Sequence, residues 1–66
     1  MVVYDDSERR LVQAARQLAK TMAEIVTVEA FEAQLKEAIE LNMQYAATIA
    51  RRNLRSFIER RLGTSQ

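Results

Sequence analysis

No glycine or proline interrupts this chain before Gly63, which is the one glycine in a sequence that contains no proline. β-Sheets need turns, and turns rest on Gly, Pro and Asn-Gly signals that are missing here. A composition of 48% hydrophobic and 29% charged residues matches long amphipathic helices instead. The expected fold class is all-α.

Length adds a second constraint. A chain of 66 residues buries too small a share of its surface for a core to hold it comfortably, and short chains draw on disulfides, metals or oligomerisation. Cys and His are both absent, which removes disulfides and the usual zinc, copper and iron–sulfur ligands. Oligomerisation is the remaining supplement, and no metal or cofactor is expected.

Asp5 with Glu8 three residues later fits a capping box, and it puts acids at the positive end of the helix dipole. From there Leu11, Ala15, Leu18, Met22 and Ile25 recur at heptad-like spacing, while Arg9, Gln13, Arg16 and Lys20 take the opposite side. The pattern predicts a first helix over about 6–25. Thr27 suits an N-cap, with Val26 packing on Phe31 as a hydrophobic staple, and the β-branched run from Ile25 to Val28 weakens helix continuity. A second helix over about 28–62 follows, ending at Gly63 with residues 63–66 as a frayed tail. One uninterrupted helix from Asp6 to Leu62 is the competing reading, since neither Gly nor Pro enforces the break.

A helical hairpin with a short first helix cannot cover all of a long second one. Ile49, Ala50, Leu54, Phe57, Ile58 and Leu62 continue the apolar face beyond its reach, so the expected assembly is a homodimeric four-helix bundle. The expected seam comprises Leu35, Ile39, Asn42, Ala46, Ile49, Ala50, Asn53 and Phe57. Asn inside a helical seam commonly sets register at the expense of stability. Antiparallel pairing with Asn42 opposite Asn53 of the other copy would let the two amides satisfy each other. Tyr45 belongs at the shoulder of this stripe with its hydroxyl in solvent. Met22 and Met43 read as gap-fillers or as an adaptable groove.

Charge is two-ended. Glu24 to Glu40 carries five acids against Lys36, net −4, and Arg51 to Arg61 carries five arginines against Glu59, net +4. This polarity complements the helix dipole, and it would also serve as a pairing code between chains. Arg51, Arg52, Arg55, Arg60 and Arg61 are the candidate contacts for anions or nucleic acid, Arg being suited to bidentate recognition of phosphate. A net charge of +1 makes no global commitment to nucleic acid or membrane.

The parts of an enzyme are few. Ser7, Ser56 and Ser65 have no candidate base, no glycine-rich loop is present, and the carboxylate pairs Glu29/Glu32 and Glu37/Glu40 lack the His that di-iron bundles couple to such acids. No apolar run approaches the roughly 18 residues of a membrane span, and the N-terminus lacks the charge pattern of a secretory signal. The chain is expected to be cytoplasmic and non-enzymatic: a small regulatory, adaptor or assembly protein, or alternatively a nucleic-acid-binding regulator using the arginine end. A membrane-surface role fits less well because acids and bases balance. In length and topology the expected hairpin resembles the Rop-type plasmid copy-number regulators, and the resemblance implies a dimer that binds paired RNA loops. It covers outline only and carries over no site residue.

Overall fold

The computed structural model describes residues 5–63. They form three helices, α1 (Asp6–Leu18), α2 (Met22–Glu40) and α3 (Gln44–Gly63), with no strand among the described residues. The chain is all-α as expected, but it is not a two-helix hairpin. The expected tail beyond Gly63 and the first four residues lie outside the described residues.

The start of α1 follows the expectation. The Asp5 carboxylate accepts from the Glu8 N–H at 2.8 Å, and the Glu8 Oε1 accepts from the Asp5 N–H at 3.4 Å. The first break falls about six residues earlier than Thr27. α1 stops at Leu18, and the N-cap of α2 is Thr21, whose hydroxyl accepts from the Glu24 N–H at 3.3 Å. Thr21-Met22-Ala23-Glu24 carries the Thr-x-x-Glu pattern of a capping box, whereas Thr27 has Ala30 at the equivalent place. Thr27 lies inside α2, where its hydroxyl donates to the Ala23 carbonyl at 3.5 Å. This is a common accommodation of a mid-helix threonine. The β-branched run does not break the helix, because each such residue lowers propensity by less than about 0.7 kcal/mol.

The second break has no counterpart in the sequence-based expectation. Leu41 caps α2, Asn42 takes φ 57°, and Met43 leads into α3. The Met43 N–H donates to the Ala38 carbonyl at 2.8 Å and the Asn42 N–H to the Ile39 carbonyl at 3.2 Å. These two bonds are the Schellman closure, with asparagine in the left-handed position that glycine usually fills. Asn42 is therefore a turn residue rather than an interface amide. The expected pairing with Asn53 of a second copy, which requires an unbroken helix over 28–62, does not apply.

The sign of a mutational effect separates these two roles. Asn42→Gly should raise stability by about 0.5–1 kcal/mol, and Asn42→Leu should lower it by about 1–2 kcal/mol, because a branched side chain resists the left-handed region. A seam amide would respond in the opposite order, with Leu stabilising. Urea denaturation midpoints of the two variants decide it.

Three-residue connections turn each helix back on its predecessor, so α1 and α3 run parallel with α2 antiparallel to both. The buried core takes Val12, Ala15 and Ala19 from the first helix and its cap, Val28, Leu35 and Ala38 from α2, and Ala47, Ala50 and Leu54 from α3. Most of these side chains are alanine, which permits close helix approach but leaves Leu35, Leu54 and Val28 as the largest fully buried groups. Leu11, Ile25, Phe31, Ile39, Phe57 and Ile58 pack around them. The apolar face expected to lack cover within the chain is largely covered, since Ala50 and Leu54 are buried and Phe57 and Ile58 rest on the core. Ile49 and Leu62 remain exposed. Among the described residues no helix is long and apolar enough to cross a membrane.

Candidate interaction surfaces

The charge polarity of the sequence folds back on itself. Acidic α2 lies antiparallel to basic α3, and each of the three helix–helix contacts carries an ion pair. Between α1 and α3, Glu8 Oε2 accepts from Arg51 Nε at 2.7 Å and lies 2.5 Å from Arg51 Nη2. Between α1 and α2, Arg16 donates to Glu32, with Glu29 3.9 Å away and Lys36 bridging to Glu32 at 3.6 Å. Between α2 and α3, Arg61 pairs with Glu24, and its guanidinium lies 5.7 Å from the centre of the Phe57 ring. Acidic and basic segments meet within one chain, so the polarity needs no second chain to explain it.

Glu8 and Glu32 are both buried, at 7% and 8% exposure. A buried carboxylate with the wrong neighbour is strongly unfavourable, so such pairs discriminate against misaligned helix packings more than they add net stability. Sequence reading assigned Glu8 to the cap and missed its second role, because Arg51 lies far along the chain and only the tertiary fold brings them together.

Of the five arginines expected to contact anions, Arg51 and Arg61 are thus engaged by acids of their own chain. Arg52, Arg55 and Arg60 are exposed and make no ion pair among the described residues. The structure also brings in an arginine that sequence reading left out. Arg10 from α1 joins Arg51 and Arg55 along a groove of about 480 Å³ between α1 and α3, which is also lined by the acids Asp5 and Glu8, by Ser7 and by the apolar Leu11, Ala14 and Ile58. Arg52, Arg60 and Arg61 do not line it. The parallel run of α1 and α3 is what places Arg10 beside Arg55, and no local spacing signals it.

The other notable surface lies between α2 and α3. Gln34, Glu37, Tyr45, Ala46, Ile49 and Asn53 line a groove of about 340 Å³, closed by Ala38 and Met43 at the turn. Tyr45 is 80% exposed, Met43 50% and Ile49 37%, with Leu41 exposed close by in the turn. Of the seam residues expected from sequence, Leu35 and Ala50 are instead buried in the chain's own core, and Ile39 and Phe57 pack against that core. Ala46, Ile49 and Asn53 line one groove, Ala46 also packing against the core. Tyr45 reaches solvent as expected, while Gln34 and Glu37 join the surface because α2 folds back onto α3.

Among the described residues no group of three or more His, Cys, Asp or Glu is placed to hold a metal ion. The likeness in outline to the Rop-type regulators depends on a two-helix hairpin and does not extend to three helices. No family model, curated protein or solved structure matches the chain.

Proposed function

We propose that this protein is a non-enzymatic helical interaction module, acting as a small regulatory, adaptor or assembly protein through its α2–α3 face. The observation that carries this reading is the groove between Glu37, Tyr45, Ile49 and Asn53, where the exposed Met43, Tyr45 and Ile49 gather beside polar groups, while Met22, Val26 and Leu62 are exposed outside it. Contiguous exposed apolar surface rimmed by polar groups marks protein contact sites. Tyr and Met are also among the residue types enriched where proteins meet.

A nucleic-acid role has its own support in the α1–α3 groove. Arg10 and Arg55 line it and make no ion pair among the described residues, and guanidinium groups suit a phosphodiester backbone, with the carboxylates of Asp5 and Glu8 at the same groove opposing an anion. The two readings separate by mutation. Tagged protein captured from native extract should retain a stoichiometric protein partner after nuclease treatment, and Ile49→Asp should abolish that retention. Material lost on nuclease treatment, or on changing Arg10 and Arg55 to Gln with Ile49 intact, transfers the function to the arginine groove.

A further inference from the structure

We infer that the occupant of the α2–α3 face is a second copy of this chain, docked about a two-fold axis that passes beside Asn53. The inference rests on the proposed interaction role of that face and adds who binds there and in what register.

An isologous dimer requires a surface that complements itself, with donor and receptor at equal distances on either side of the axis. α3 meets this condition. Arg60 follows Asn53 by seven residues, and Ala46 precedes it by the same interval. Seven residues is close to two whole turns at 3.6 residues per turn, so Ala46, Asn53 and Arg60 share one face of the helix. When α3 packs antiparallel on its copy with Asn53 facing Asn53, Arg60 of one chain stands level with Ala46 of the other. Ala46 lies in the groove lined by Glu37 and Tyr45. Neither Glu37 nor Arg60 has an ion-pair partner among the described residues, and both are exposed.

The Arg60 guanidinium thus meets a carboxylate and an aromatic ring together, a combination that favours arginine through both charge and ring-face attraction. The two-fold axis repeats the contact at the other end of the interface. Asn53 is half-buried in the single chain, and across the axis its amide both donates to and accepts from its own copy, satisfying the groups that dimerisation desolvates. A two-fold axis along the helices would instead stack α3 on the other copy's α2 at equal height. That arrangement sets Arg60 over Glu24, which already holds Arg61, and leaves Glu37 without a cation.

Area agrees with this assignment. The broad side of the molecule spans 37 × 22 Å, at most roughly 800 Å², so covering most of it reaches the amount each partner contributes to a standard stable interface. The assembly places α2 and α3 of both copies in one four-helix arrangement with α1 on the outside.

Charge exchange tests the register. Wild-type protein should scatter light as twice 7.6 kDa at concentrations up to about 100 µM. Arg60→Glu and Glu37→Arg should each weaken self-association at least about tenfold, with helical circular dichroism unchanged because both side chains are exposed and neither makes an ion pair among the described residues. An equimolar mixture of the two variants restores opposite charges at both contacts, and it should return to the dimer mass. A wild type that stays at 7.6 kDa, single variants that dimerise normally, or a mixture that fails to recover would each overturn the inference. A monomeric wild type whose partner capture is still lost with Ile49→Asp overturns the second copy alone. Capture and mass both unmoved by Ile49→Asp overturn the docking face as well.

Discussion

Leu54→Ala should lower stability by about 2–4 kcal/mol, the usual range for truncating a fully buried leucine whose surroundings relax only in part. Leu54 is 0% exposed and, with Leu35, is among the largest fully buried side chains of the molecule. Small domains hold roughly 0.05–0.15 kcal/mol per residue, or about 3–10 kcal/mol for a chain of this length. One methyl-rich side chain therefore carries a large part of the whole. Thermal melts followed by circular dichroism should show a midpoint lowered by at least about 8 °C, given about 4–8 °C per kcal/mol at this size. Ile49→Ala is the control, since Ile49 is 37% exposed and should cost less than about 1 kcal/mol in dilute solution. Equal effects at the two positions would mean that α1 does not cover α3 as described.

The second large effect belongs to Glu8 and Arg51. Arg51→Met keeps the aliphatic stem but leaves a buried carboxylate without its cation, at an expected cost of about 1–3 kcal/mol. That is below the full range for a buried pair, because the arginine side is 37% exposed and partly screened. Glu8→Gln retains an oxygen for the Asp5 N–H and removes only the charge, so it should cost less. The double variant should be more stable than the sum of the single losses predicts, with a coupling of about 1 kcal/mol or more. Urea unfolding of the four proteins gives the cycle directly. Strict additivity would show that Glu8 acts through the cap alone and that the α1–α3 contact does not depend on this pair.

Much of this protein was legible in its residues. The lack of turn signals excluded sheets, and Asp5 with Glu8 marked where α1 begins. Asn53, Ile49 and Ala46 were recognised as one stripe, and they do line one groove. The α1–α2 break was also present in the sequence, as Thr21 with Glu24, but the apolar spacing of Leu18, Met22 and Ile25 runs through it without a change of period. Met22 is in fact 80% exposed, so that spacing joined two helices into one.

The break at Asn42 was not legible, for an energetic reason. Asparagine reaches the left-handed region at a cost below the roughly 1–2 kcal/mol of an ordinary residue. A local penalty that small neither requires a turn nor forbids a continuous helix. Folding α3 back onto α2 and α1 buries Leu35, Leu54 and Val28, each contributing about 1.5–3 kcal/mol, and that gain exceeds the strain. The amino-acid sequence by itself determined that the chain is helical, where its first helix starts, and that an acidic segment precedes a basic one. Tertiary packing decided that there are three helices, that Asn42 is a turn rather than a seam, and that Arg51 belongs to Glu8. Local signals of a few tenths of a kcal/mol were outweighed by burial that exists only once distant segments meet.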